Sequence, residues 1–276
     1  MQKVIYRDQI ESYSDCIDQS IIDYIAQESI ETYESLENFS LIAFDWYNME
    51  DLGASPAQII VYLDREDLFY ICENEVSFRV AESLFEPAGS NESALYASFR
   101  SLLRGKEQQL ERIEDRISAL DDAILQGSET WKRDEIMKIK YETLRLKKFF
   151  EPLESVLELL CGNDNGLIGD EYMKHFVVLH TRAADLAAEV RNLREYIAQV
   201  RESYQAQIGI EQNHLMKVFT LVTSIFLPLT LLVGWYGMNF SIPEFSWRFG
   251  YPGVIILSLA ICAAWFIIFR RNKWFK

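Results

Sequence analysis

The sequence predicts an α+β domain followed by a long stalk helix and two C-terminal transmembrane helices. Three observations carry this reading. Residues 1–90 hold short runs of β-branched and aromatic residues beside an amphipathic helical stretch. Ten apolar positions from Tyr172 to Tyr204 recur at alternating spacings of four and three. Two long uncharged apolar stretches, 218–238 and 251–269, follow.

In the first region, 15–26 reads as a helix, and Ser40–Trp46, Gln58–Leu63 and Leu68–Cys72 read as strands. Asp64-Arg65-Glu66-Asp67 is the turn of a hairpin between the last two. Pro87-Ala88-Gly89-Ser90-Asn91 breaks the pattern and divides an α/β domain, 1–90, from a pair of long charged helices, 91–168. Those helices are predicted over 93–125 and 131–161, with Pro152 inside the second as a kink.

The next segment, 169–239, begins near Asp170 and meets no glycine or proline before Gly209. Tyr172, Phe176, Leu179, Ala183, Leu186, Val190, Leu193, Ile197, Val200 and Tyr204 form a heptad seam along it. Such a seam needs a partner helix, in the same chain or in another copy. The seam fades over 205–214, and the helix is expected to run straight into the first span. A helix over 170–236 would be about 100 Å long, a stalk able to transmit motion.

Each apolar stretch is long enough to cross a bilayer. The 21 residues of 218–238 make about 32 Å of helix against a hydrocarbon core of about 30 Å. Lys217 precedes the first span and Arg270, Arg271, Lys273 and Lys276 follow the second, whereas the loop at 240–250 carries only Arg248. The positive-inside rule therefore places the N-terminal domain and the 270–276 tail in the cytoplasm and the short loop outside the cell membrane. Trp235, Trp247 and Tyr251 suit the outer aromatic belt. The start of the chain has no apolar run, so no cleavable signal is expected.

Charge and motifs exclude several classes. The net charge is −15, with +4 on residues 218–276, which leaves −19 on residues 1–217. A nucleic-acid binder would instead show a basic face. Cys16, Cys72, Cys161 and Cys262 are scattered, without the spacing of a disulfide framework or zinc site, and suit a reducing compartment. No nucleophile–base constellation, phosphate loop or H-E-x-x-H is present, so no enzyme and no bound cofactor is expected.

A second periodicity marks the first span. Asn213, Met216, Thr220, Thr223, Leu227, Thr230 and Gly234 are spaced three and four apart, and lie on one helix face. Polar and small residues on a membrane helix avoid lipid, either in helix packing or as the wall of a pore. One span cannot enclose a pore, but a ring of spans from several copies can. Its neutral oxygens would suit a cation that keeps its water shell.

Gly237-Met238-Asn239 closes this span. Together with Leu215-Met216-Lys217-Val218-Phe219-Thr220, Phe226-Leu227-Pro228-Leu229-Thr230, Ile242-Pro243-Glu244, Trp247 and Gly250-Tyr251-Pro252, it resembles the CorA family of magnesium transporters. The close resemblance covers about residues 213–276; the acidic domain, charged helices and stalk agree in order. It implies a funnel-shaped homopentamer in the lipid bilayer that takes up Mg²⁺ down the membrane potential, with Co²⁺ and Ni²⁺ as further cargo. On that likeness Asn239 rings the outer mouth and holds hydrated Mg²⁺ by amide oxygens, in a filter formed with Gly237 and Met238. Leu227 and Thr230 sit mid-pore, Met216 with Phe219 or Thr220 forms an apolar constriction, Asn213 marks the inner exit and Glu244 concentrates cations outside.

The sequence departs from the family in a short outer loop, a short N-terminal domain and a stalk that reads Lys174-His175-Phe176-Val177-Val178-Leu179-His180 where relatives carry acids. A regulatory Mg²⁺ site would have to use other acids, with Asp121, Asp122 and Glu202 as candidates beside Glu111, Glu114 and Asp115. His175, His180 and His214 read as packing or surface residues. Two alternatives stand beside Mg²⁺ transport. One is a Zn²⁺ transporter on the same scaffold, as in the ZntB branch; the other is a membrane-tethered scaffold or sensor that conducts nothing.

Overall fold

The structure is a computed structural model that describes residues 1–26, 32–48, 51, 53–126, 132–238 and 248–271. The chain divides into two compact units, Met1–Glu202 and Ser203–Lys276.

The first unit is built on a five-stranded sheet. The strands are β1 (Gln2–Tyr6), β2 (Tyr33–Ser35), β3 (Phe39–Trp46), β4 (Ala57–Asp64) and β5 (Leu68–Cys72), in the order β1-β5-β4-β3-β2. β1 pairs parallel to β5, and every other pairing is antiparallel. The three strands expected from composition are present, and so is the hairpin at 64–67. Asp64 Oδ1 accepts from the backbone N–H groups of Glu66 (2.8 Å) and Asp67 (2.6 Å), which folds the turn. β1 and β2 have no counterpart among the expected strands: Gln2–Tyr6 becomes a strand by adding to the open edge of β5.

The central strands are buried on both faces. Ile60, Tyr62, Phe69 and Ile71 meet Ile10 of a 3₁₀ segment (Arg7–Tyr13), Ile17 of the turn after it, and Ile21, Ile22 and Ile25 of helix α1 (Gln19–Ala26). The helix expected from residue 15 starts only after Asp18, whose carboxylate accepts from the Ser20 N–H at 2.9 Å and caps it. On the opposite face, Tyr70 meets Phe85, and Phe44 meets Phe99. Helix α2 (Glu75–Leu84) covers β4, β5 and β1 there. Sequence pattern does not reveal this helix; Asn74 caps it, with Oδ1 accepting from the Ser77 N–H at 2.9 Å.

The single helix expected over 93–125 is two, α3 (Asn91–Leu103) and α4 (Lys106–Leu125). Gly105, at φ +71°, breaks them by adopting a left-handed conformation that costs a glycine little. Helix α5 (Lys132–Gly162) passes through Pro152. Arg116 joins α4 to α5 through Glu135 (2.5 Å) and Glu142 (2.6 Å). Arg145 of α5 donates to the carbonyls of Asn48, Asp51 and Ala54 at 2.7–2.8 Å, and so holds the β3–β4 connection.

Helix α6 runs without interruption from Asp170 to Tyr236. The heptad seam finds its partners inside the same chain. Phe176, Leu179, Ala183, Leu186, Val190, Leu193, Ile197 and Val200 are all buried. The Tyr96 ring of α3 stands edge-on to Phe176, Arg182 pairs with Glu107 of α4 at 3.1 Å, and Arg191 pairs with Glu154 of α5 at 3.7 Å.

The second unit holds the last part of α6 and helix α7 (Gly250–Arg271). Both helices are long and apolar enough to cross a membrane, and among the described residues almost none of their apolar stretches is fully buried. On α6 the half-buried row is Leu221, Ile225, Pro228 and Leu232. On α7 it includes Val254, Ser258, Ile261 and Trp265.

Candidate functional site

The seven stripe residues from Asn213 to Gly234 are all exposed, with Met216 at 61% and Leu227 at 74%. Phe219, the alternative constriction residue, is exposed as well. They lie apart from the half-buried row on the same helix, so among the described residues this face is little covered by the chain's own packing. The first span thus offers two rows, one partly covered by its own chain and one presenting hydroxyl groups and a glycine outward.

The threonines are arranged for one chemical role. The Thr220 hydroxyl donates to the Met216 carbonyl at 2.7 Å, Thr223 to Phe219 at 2.8 Å and Thr230 to Phe226 at 2.8 Å. Each hydroxyl proton is therefore turned back onto the helix. What each oxygen offers outward is its lone pairs. A column of acceptors without free protons suits a cation or the donor hydrogens of its water shell, and gives an anion nothing to bind. The amide of Asn213, also exposed, makes no hydrogen bond among the described residues.

A cleft of about 1000 Å³ follows this helix from Thr223 to Met238. Thr223, Leu227, Thr230 and Gly234 line it with Trp265 of α7. The local signal for Trp265 is its place, with Phe266 and Phe269, shortly before Arg270 and Arg271.

Gly237 is required by geometry. A Cβ there would lie 2.8 Å from the Val233 carbonyl oxygen, to which the Gly237 N–H donates at 2.8 Å. The helix end closes on itself too tightly for any side chain. Nothing comparable surrounds Gly234, where an added Cβ meets no atom within 4 Å among the described residues. Met238 is half-exposed at the end of the turn. Asn239 and Glu244, expected at the outer mouth, lie outside the described residues, as do Trp247, Lys273 and Lys276.

The regulatory candidates stay apart within one chain. Asp121 and Asp122 lie near the end of α4, and Glu202 is exposed on α6. Among the described residues no three His, Cys, Asp or Glu side chains gather into a metal-binding group. An acidic contact that sequence does not reveal involves Glu189 of α6. Burial, followed by the charges of Glu114, Glu107 and Glu111 on α4, raises its carboxyl above the ordinary value. The His175 ring is exposed and lies 5.2 Å from that of Tyr96.

Comparison with known proteins extends this reading to nearly the whole chain. The model of the CorA-like Mg²⁺ transporter protein family matches residues 20–271. The cobalt/magnesium transport protein CorA of Thermotoga maritima is 30% identical over 181 residues, 65% of this chain and 52% of the relative. The match thus spans about half of that relative's length. The magnesium transport protein CorA of Haemophilus influenzae is 28% identical over 281 residues, covering 93% of this chain and 85% of the relative. Among solved structures, the complete CorA magnesium transporter of Methanocaldococcus jannaschii superposes with a TM-score of 0.77 at 22% identity, over 99% of this chain and 90% of that one. That likeness establishes the fold: a sheet domain, a long helix entering the membrane and a second terminal span. A two-span membrane protein whose family match runs from the first helix to the last, this chain belongs to the CorA-like Mg²⁺ transporter family.

Proposed function

We propose that the chain is one subunit of a homopentameric channel that admits Mg²⁺, with Co²⁺ and Ni²⁺ as further cargo, through the cell membrane. The observation that carries this reading is the exposed threonine column of α6, whose oxygens present lone pairs along a face that the chain leaves unpacked. Five such faces would enclose a neutral, oxygen-lined path. Mg²⁺ surrenders water reluctantly, so weak neutral acceptors are better suited to passing it than a carboxylate ring.

In this reading Asn239 caps the path, with Gly237 and Met238 shaping the turn. Met216 with Phe219 or Thr220 narrows it, Asn213 opens it to the cytoplasm and Glu244 attracts cations at the outer face. The N-terminal unit and the tail are cytoplasmic. Asp121, Asp122 and Glu202 would serve a regulatory Mg²⁺ only in a site shared between copies. The membrane potential supplies the driving force. A divalent ion crossing about 100 mV gains about 4.6 kcal/mol, a concentration ratio on the order of 10³.

The test is Mg²⁺ entry into proteoliposomes held at an inside-negative potential, with Asn239→Ala beside the parent. Uptake by the parent that collapses in the variant supports the reading. Zn²⁺ uptake exceeding Mg²⁺ uptake in the same vesicles would replace Mg²⁺ by Zn²⁺ as cargo. Correctly assembled protein that passes no cation would refute conduction altogether.

A further inference from the structure

We infer that the first unit carries a binding site for a polyphosphate anion, between α3 and α6. A cavity of about 570 Å³ opens there, lined by Arg100, Arg104 and Ser101 of the α3 end, Tyr96 of the same helix, Arg182 of α6 and Glu86. Its size falls in the range of about 300–1,000 Å³ typical of small-molecule sites. Three guanidiniums and one carboxylate line it, in a region whose net charge is −19.

The state of these arginines argues for a ligand. The chain has 42 acidic residues against 27 lysines and arginines, so carboxylates are in surplus. Yet neither the Arg100 nor the Arg104 side chain has an ion pair or hydrogen bond among the described residues. Arg182 pairs with Glu107 through Nε at 3.1 Å, which leaves donors of its fork uncommitted. Arg100 and Arg104 are one turn apart at the end of α3, and Arg182 approaches from another element. The C-terminal dipole of α3 accounts for a cation in its last turn. It does not account for a third arginine delivered by α6, or for the cavity among them.

Planar guanidinium forks grip phosphate oxygens in bidentate fashion, and several arginines around one hollow match the spread charge of a diphosphate or triphosphate. The Ser101 hydroxyl adds a neutral donor. The Tyr96 ring is held by His175 at 5.2 Å and by Phe176 at 6.1 Å, and forms a fixed wall of the cavity. An occupied site would tie α3 to α6. Inorganic pyrophosphate and a nucleoside triphosphate share the recognised chemistry, and their relative affinities identify the source.

The experiment is isothermal titration of the full chain in detergent with sodium pyrophosphate and, separately, with ATP. EDTA is present so that bound metal contributes no heat, and the result is independent of ion conduction. Saturable binding of at least one probe is expected, weakened at least about tenfold in Arg100→Gln/Arg104→Gln and weakened by raised salt. Both arginines are exposed and unpaired among the described residues, so the double variant should melt like the parent. A second variant, Ala97→Trp, at a further lining residue on α3, places an indole in the cavity while keeping all three arginines, and should also abolish binding. Tighter binding of ATP assigns the site to a nucleotide, and equal affinity assigns it to the phosphate groups alone. Absence of binding by both probes, or binding unchanged in the two variants, overturns the proposal.

Discussion

Along α6, residues 176–200 and residues 213–234 repeat at the same spacing of three and four, yet their burial is opposite. Phe176, Val190 and Val200 are almost wholly buried, whereas Met216, Phe219 and Leu227 are more than half exposed. The first stretch is enclosed by α3, α4 and α5 of its own chain. The second has no such enclosure among the described residues, and stands exposed on an apolar helix long enough to cross a membrane. Periodicity identifies a face that seeks a partner; it does not say where the partner is.

Truncating one aromatic in each stretch separates the two most sharply. Phe176→Ala should cost about 3–5 kcal/mol, because a buried ring is replaced by a cavity. The loss would be read as early melting of the purified protein. Phe219→Ala should leave melting nearly unchanged and alter ion flux instead. Equal destabilisation by the two changes would mean that the exposed stretch is packed within its own chain after all.

The two glycines provide the next test. Gly237→Ala drives a Cβ to 2.8 Å from the Val233 carbonyl oxygen. It should cost about 1–3 kcal/mol in local strain and reduce flux at least about tenfold with assembly intact. Gly234→Ala meets nothing in its own chain, and alanine favours a helix by up to about 1 kcal/mol. Loss of the oligomer in Gly234→Ala, followed by size-exclusion chromatography, would locate a neighbouring copy against that residue.

A third change confines damage to the first unit. Arg145→Ala removes the donors that hold the carbonyls of Asn48, Asp51 and Ala54, and should cost about 1–3 kcal/mol. Hydrogen exchange should rise around the β3–β4 connection while the second unit is unaffected. Exchange that also rises across 218–236 would show that α6 carries the disturbance into the membrane.

The smallest effect concerns pH. Burial and the neighbouring glutamates raise the folded-state pKa of Glu189 above the ordinary 4.5. The folded chain therefore holds this proton at pH values where the unfolded chain has released it. Stability from this group falls as pH rises from about 4.5 through the folded value. Glu189→Gln should remove that dependence and raise stability at pH 7 by at most about 0.5 kcal/mol, since the carboxyl is partly exposed. A melting-temperature difference between parent and variant that does not change with pH would contradict this.

The parts legible in the sequence are those governed by short-range pattern. The hairpin at 64–67, the seam and both apolar spans can be read from residues close together along the chain. Gly105 is visible too, but a charged run through it suggests one helix where the left-handed glycine makes two. β1 and β2 are illegible because a short edge strand gains its stability from the strand it joins. α2 escapes notice despite Asn74, since its outward face is polar and its contacts are to the sheet.

At the candidate site, the stripe from Asn213 to Gly234 follows from spacing alone. The direction of the threonine protons does not, because it depends on each hydroxyl reaching the carbonyl one turn back. The steric need for Gly237 depends in the same way on the position of the Val233 carbonyl oxygen.

By itself, then, the sequence determined that this chain has an acidic sheet domain, a long amphipathic helix and two apolar spans, because helix period, hydrophobic length and charge are set by residues close together along the chain. Tertiary structure decided which half of α6 is satisfied within the chain, which hydroxyls face outward as acceptors and which residues meet across long separations. Arg100 and Arg182 are 82 positions apart. Only the packing of α3 near α6 brings them to one cavity, and no local pattern records a contact made by two helices so distant in sequence.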